Sequence, residues 1–169
     1  DLYTLNNSKI GIIGFGSIAN RLAPMFKSLG ADVFGIAQKS GNRDGYKVYD
    51  FEQGKPAIAG ADLIISLLPY SKATEKFFNK DFFSLMKKTA IFINVGRGKT
   101  VDEDALIEAL NSGSFRRAAI DVTYIEPLPA ISPSDTASLL RPWSSWLRWP
   151  IPQAGRSESI RCLSSRWAQ

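Results

Sequence analysis

The chain has 169 residues, room for one domain with a sizeable core, and 44% of them are apolar without a run of about 18 that could span a bilayer. Cys162 is the single cysteine and histidine is absent, which excludes an internal disulfide and a cysteine metal cluster and removes the commonest proton shuttle and metal ligand. The net charge of +5 divides into +2 over residues 1–129 and +3 over residues 130–169, so nothing resembles a basic nucleic-acid helix and neither nucleic acid nor membrane is an expected partner.

Asp1-Leu2-Tyr3-Thr4-Leu5 has no initiator methionine and no basic-then-apolar leader. It reads as a chain entered in mid-sequence, with a cytoplasmic location expected. Asn6-Asn7-Ser8 is a polar turn. Ile10, Ile12 and Ile13 then form a β-branched run that stops at Gly14-Phe15-Gly16, and the helix-period residues Ile18, Leu22, Met25, Phe26 and Leu29 follow at once. A strand, a glycine turn and a helix are written in that order. Gly14 permits the turn, Gly16 lets backbone approach a pyrophosphate, and Ala19 keeps the helix close to the sheet. The unpaired amides at the helix start would face the phosphates. The helix is expected over Ser17 to Leu29 with Gly30 as its left-handed cap, and Pro24 inside it predicts a kink.

A second strand runs from Asp32 to Ala37. Dinucleotide folds often place an acid at its end to bind ribose hydroxyls, and here Ala37 is followed by Gln38, Lys39, Ser40, Gly41, Asn42 and Arg43. Two cations and a hydroxyl suit a 2′-phosphate, which favours NADP over NAD, although Asp44 is close and the cations also fit an ordinary surface loop. Tyr46 to Asp50 is a short strand, and Phe51 to Ala59 a helix interrupted by Gly54 and Pro56. Leu63 to Leu68 is a strand buried on both faces and ended by Pro69. Ala73 to Phe78 and Asp81 to Met86 are helical pieces, and Ala90 to Val95 is the next buried strand. Thr100-Val101-Asp102-Glu103 has the form of a capping box for a helix that Gly113 closes, and Ala118 to Val122 is a final strand. The alternation implies an α/β doubly wound parallel sheet, a Rossmann-type NAD(P)-binding domain over residues 1–129.

Residues 130–169 read differently. All ten phenylalanines lie at or before Phe115 and all eleven lysines at or before Lys99, while all four tryptophans (Trp143, Trp146, Trp149, Trp167) come after Pro129. Pro133, Pro142, Pro150 and Pro152 break any strand or helix pattern in this irregular tail. It is either a divergent or disordered segment or the product of a shifted reading frame. The abruptness of the change favours the shifted frame.

Taken with I-N-V-G-R-G at Ile93–Gly98, V-D-E-D-A-L-I-E-A-L at Val101–Leu110 and A-I-D-V-T-Y-I-E-P-L-P at Ala119–Pro129, these stretches resemble the D-isomer-specific 2-hydroxyacid dehydrogenases, in their phosphoglycerate dehydrogenase and glyoxylate/hydroxypyruvate reductase branch. The resemblance covers about Ser8 to Pro129. It implies a nucleotide domain set in a split substrate domain whose N-terminal lobe is missing here, an NAD(P) cofactor, a small 2-keto or 2-hydroxy acid substrate and a homodimer.

By matching motif, Ser17 and Ile18 correspond to the pyrophosphate-contacting pair, Ala37 to the replaced ribose acid, and Leu68-Pro69 to the loop beside the cofactor. Val95, Gly96 and Arg97 correspond to the nicotinamide side, Asp121 to the residue near the carboxamide, Arg97 also to the substrate arginine, and Glu126 to the glutamate that partners a catalytic histidine. Reduction of a 2-keto acid needs a hydride at C2, a proton for the alkoxide and a cation on the carboxylate, for which arginine's fork is suited. Outside these motifs, Arg97 between two glycines would read as a surface turn. With no histidine anywhere, the chain as written is expected to be catalytically silent, at a loss of about 10²–10⁴-fold from that group alone. The alternatives are a noncatalytic nucleotide-binding or redox-sensing module and a methyltransferase-like domain using the same turn for S-adenosylmethionine.

Overall fold

The computed structural model describes residues 4–124. Glu126 and the tail over residues 130–169 lie outside the described residues.

Seven strands form one sheet: β1 (Lys9–Ile13), β2 (Asp32–Ile36), β3 (Gly41–Arg43), β4 (Tyr46–Tyr49), β5 (Leu63–Ser66), β6 (Ile91–Asn94) and β7 (Arg117–Ile120). Four α-helices join them: α1 (Ser17–Ser28), α2 (Phe51–Ala59), α3 (Lys80–Leu85) and α4 (Glu103–Asn111). The spatial order is β3-β4-β2-β1-β5-β6-β7, parallel throughout except for β3 against β4. From β1 the chain winds outward through β2 and β4, then returns to the middle and winds the other way through β5, β6 and β7. The switch between β1 and β5 opens a crevice at their carboxyl ends, where such sheets bind ligands.

The pleat sorts the core into two layers. Ile10 and Ile12 of β1 join Val33, Val48, Leu63 and Ile65 beneath α1, whose fully buried Ala19 and Ala23 bring it close to the sheet. Ile13, Phe34, Ile64 and Phe92 face the other layer, where α2, α3 and α4 contribute Ile58, Phe82, Phe83 and Leu106. That second layer contains a chain of aromatic contacts from Phe51 and Phe77 through Phe78, Phe82, Phe83 and Phe92 to Phe115, with neighbouring rings 4.8–6.1 Å apart at mostly steep angles. Such pairs add to the burial of large apolar area.

Several local expectations are corrected. α2 runs uninterrupted through Gly54 and Pro56. Gly41 to Arg43 is a strand rather than loop, because Asp44 (φ +50°) and Gly45 (φ +85°) supply the two left-handed residues of a tight hairpin turn. Ala73 to Phe78 is not a helix. Thr74 Oγ1 accepts from the Ser71 amide and donates to the Pro69 carbonyl, Lys76 is left-handed at φ +49°, and Phe78 bridges to Val101.

The capping box is displaced as well. Asp102 caps α4 by accepting from the Ala105 amide, while Thr100 is buried in a short 3-10 turn, Gly98–Thr100, before the helix. β6 is less covered on one face than expected: Phe92 and Asn94 are buried, while Ile91 and Ile93 are half-buried against the α1-side cluster. Gly30 (φ +83°) and Gly113 (φ +69°) do close α1 and α4. Among the described residues no helix is long and apolar enough to cross a membrane.

Candidate functional site

β1 ends in the glycine turn. Gly14 has φ +95°, and a Cβ there would lie 2.9 Å from the Leu67 carbonyl group, so this residue must be glycine both for its backbone angle and for the closeness of the neighbouring strand. Gly16 differs: it is extended (φ −117°), and a Cβ built on it meets nothing within 4 Å. Its smallness leaves open space above the first turn of α1. Phe15 turns its ring into the core against Gly35 and Tyr46, which leaves its backbone at the cleft.

The ends of the helices separate by chemistry. Asp50 caps α2 at the Gln53 amide, Asn79 caps α3 at the Phe82 amide, and Asp102 caps α4. α1 has no side-chain cap and no acid in its first turn. Its first amides and the positive end of its dipole open toward a cleft of about 730 Å³. Gly14, Phe15, Gly16, Ser17 and Ile18 form one wall, and Ala37 and Gln38 the end beyond β2. Leu67, Leu68, Pro69, Ser71 and Thr74 form the opposite wall, and Phe51 and Phe77 add an aromatic side. Ile18 is 65% exposed into this space.

Arg43 reaches back from the hairpin. Its Nη1 donates to the Phe15 carbonyl and its Nη2 to the Lys39 carbonyl, so a guanidinium lies across the outer end of the glycine turn. Asp44 is occupied with the Asn20 amide at 2.8 Å. Lys39 and Ser40 are exposed beside Arg43 and do not line the cleft.

Beyond β6, Gly96 packs so closely on Leu68 that a Cβ would lie 2.8 Å from its carbonyl oxygen, which joins the β5 and β6 ends edge to edge. The Arg97 carbonyl accepts from Asn94 Nδ2 (3.3 Å), Thr100 Oγ1 (2.6 Å) and the Thr100 amide (3.2 Å). Asn94 and Thr100 are fully buried, so this loop is held from within while the Arg97 side chain stays exposed. Sequence reading gave Asn94 no role of its own and placed Thr100 in a capping box, although a polar residue closing a buried apolar strand was a usable signal.

Arg97 lines a second cavity of about 370 Å³ with Tyr70, Lys99, Thr123 and Tyr124. Gly98 forms its floor, pressed against the Thr123 carbonyl group with no room for a Cβ. Val95 and Asp121 stand at the carboxyl ends of β6 and β7, exposed and outside both linings. The structure therefore brings together the glycine turn, Ala37, Gln38, Leu68 and Pro69 in one cleft and Arg97 in another at the same end of the sheet. Among the described residues no cluster of carboxylates, histidine or cysteine could hold a metal.

A glycine turn at the switch point, an uncapped helix start and an open cleft together define a dinucleotide-binding α/β domain. Residues 1–141 match the model of the D-isomer specific 2-hydroxyacid dehydrogenase, NAD binding domain, and the chain belongs to that family. It is 38% identical over 133 residues to the human glyoxylate reductase/hydroxypyruvate reductase, covering 78% of this chain and 40% of that one. It is 41% identical over 129 residues to a probable 2-ketogluconate reductase of Dictyostelium discoideum, covering 73% and 38%. Among solved structures, phosphoglycerate dehydrogenase from Lactobacillus plantarum superposes with a TM-score of 0.75 at 33% identity, over 80% of this chain and 44% of that one. An NADPH-dependent glyoxylate/hydroxypyruvate reductase from Sinorhizobium meliloti, solved with NADP and sulfate, gives 0.72 at 28% identity over 79% and 44%. The chain thus spans about two fifths of the length of these curated relatives.

Proposed function

We propose that this chain is the cofactor-holding part of an oxidoreductase that interconverts a small 2-keto acid and the D-2-hydroxy acid, with NADP favoured over NAD. The observation that carries the reading is that α1, alone of the four α-helices among the described residues, has no side-chain cap, so that its free amides face the cleft while α2, α3 and α4 are closed by capping side chains. An anionic diphosphate completes that helix end.

The fit is favourable: open space above Gly16, amides at Ser17 and Ile18, and apolar walls from Leu68, Pro69, Phe51 and Phe77. When bound, the nicotinamide supplies the hydride. Val95, Gly96 and Asp121 flank its end by motif. Arg97 holds the substrate carboxylate and polarises the keto oxygen, a task suited to a planar, permanently charged fork. Arg43, with Lys39 and Ser40 beside it, receives a 2′-phosphate where Ala37 offers no carboxylate to repel it. Glu126 orients a histidine that this sequence does not contain, so the chain alone is silent in turnover. Residues 1–129 form the domain, and the complete enzyme works as a cytoplasmic homodimer.

Calorimetric titration with NADPH, NADH and S-adenosylmethionine tests this. NADPH is expected to bind most tightly, NADH more weakly and S-adenosylmethionine not at all; binding of the last alone would overturn the reading. The missing histidine supports a second reading, a sensor that binds nucleotide without chemistry. NADPH binding with no binding of any 2-hydroxy acid to the NADPH-saturated chain, measured by calorimetry, would favour it.

A further inference from the structure

The cavity beside Arg97 holds a second cation that the reaction itself does not require. Residues 95–100 alternate in exposure: Val95, Arg97 and Lys99 face outward while Gly96, Gly98 and Thr100 are buried. Arg97 and Lys99 both line the cavity. Lys99 Nζ lies 5.5 Å from the centroid of the Tyr70 ring and 5.8 Å from that of Tyr124, so its ammonium is flanked by two aromatic faces. Contacts of that kind hold a lysine in place while leaving its N–H donors able to bind a ligand.

The two rings are themselves held. Tyr70 follows Pro69 in the loop that Thr74 closes through the Pro69 carbonyl. The Tyr124 amide donates to Glu103 Oε1 at 2.7 Å, which commits that carboxylate to the backbone on the α4 side. Among the described residues no acidic side chain lines the cavity, although Glu75 nearby accepts from the Tyr70 hydroxyl at 3.5 Å, and neither Arg97 nor Lys99 is within ion-pair distance of a carboxylate. A small cavity with two cations that form no ion pair among the described residues suits an acid with two anionic groups.

Resting on the proposed function, we infer that Lys99 is a specificity-determining residue: Arg97 takes the carboxylate next to the keto carbon, and Lys99, held between Tyr70 and Tyr124, takes a second acidic group at the far end of the substrate. The preferred substrate class is a dianionic 2-keto acid, a dicarboxylate or a phosphate monoester, rather than a simple monocarboxylate. One charge-assisted hydrogen bond to a partly enclosed ammonium corresponds to about tenfold in affinity.

The test uses the chain saturated with NADPH and measures by calorimetry the Kd of D-glycerate (one carboxylate), D-malate (two carboxylates) and 3-phospho-D-glycerate (carboxylate and phosphate). Either or both dianions are expected to bind about tenfold more tightly than D-glycerate, and which one does identifies the second group. Lys99→Met should erase that difference and leave D-glycerate binding unchanged, Lys99→Arg should restore it, and Arg97→Met should weaken all three acids. Equal affinity for D-glycerate and both dianions, or an equal loss for all acids in Lys99→Met, overturns this inference alone, because cofactor and monoacid binding would still support the dehydrogenase reading. Failure of NADPH or of every acid to bind overturns both.

Discussion

Gly14 and Gly16 are two residues apart in one turn, yet alanine at each should do opposite things. At Gly14 the backbone is left-handed at φ +95°, and the added methyl would lie 2.9 Å from the Leu67 carbonyl carbon and oxygen. The conformational strain is about 1–2 kcal/mol and the overpacking about 1–3 kcal/mol, so Gly14→Ala should lose about 2–5 kcal/mol. That is a large part of the ~5–15 kcal/mol that holds an ordinary domain folded. At Gly16 the backbone is extended and the methyl meets nothing within 4 Å, so Gly16→Ala should leave stability within about 0.5 kcal/mol of the wild type. What the methyl does occupy is the space through which a diphosphate approaches the Ser17 and Ile18 amides. Displacing one charge-assisted hydrogen bond costs about 1.5–3 kcal/mol, a weakening of roughly tenfold to hundredfold for NADPH. Urea denaturation gives the first quantity and calorimetric titration the second. A Gly16→Ala protein that binds NADPH as tightly as the wild type would refute the argument that this open space is the phosphate site.

Arg43→Met removes the guanidinium that spans the Phe15 and Lys39 carbonyls and should weaken NADPH about tenfold with little effect on NADH, read from the ratio of the two Kd values. Thr100→Val replaces a hydroxyl that donates at 2.6 Å to the Arg97 carbonyl and should cost about 1–2 kcal/mol in urea denaturation while weakening acid binding through a looser Arg97; unchanged values for both would show that the loop is held without it. Asp62 carries a pH dependence. Burial raises its pKa, but the Lys87 ammonium at 2.6 Å and the Lys9 amide at 2.9 Å outweigh that and hold it below the ordinary carboxylate value. Because the folded pKa lies below the unfolded one, its contribution is complete above about pH 5 and is lost as pH falls through the folded pKa, so denaturation midpoints for Asp62→Asn should decline less steeply on acidification than those of the wild type. Phe92→Ala, at a fully buried ring between Phe78 and Phe83, should cost about 3–5 kcal/mol by the same urea assay.

The order of strands and helices and the glycine turn were readable in the chain because each rests on local physics. β-branched runs such as Ile10–Ile13 and Leu63–Ser66 alternate with helix-period segments, and Gly14, Gly30 and Gly113 mark places where only a left-handed backbone fits. The same alternation implied a doubly wound parallel sheet. Local signals failed where a segment's conformation depends on partners distant in sequence. Ala73 to Phe78 has helical composition but is drawn out by Thr100 and Val101, and Thr100, which looks like a cap, is instead buried under Arg97. The Asp44-Gly45 turn was a local signal and could have been found.

Tertiary structure alone decided where the cations lie. The sequence singles out Lys39, Arg43 and Arg97 but not their partners, and only the folded chain lays Arg43 across the Phe15 carbonyl and sets Lys99 between Tyr70 and Tyr124 beside Arg97. The physical reason is range. Backbone conformation and hydrophobic period act over a few residues, whereas a binding site is assembled from strand ends and loops that are far apart in the chain and meet only when the sheet has closed.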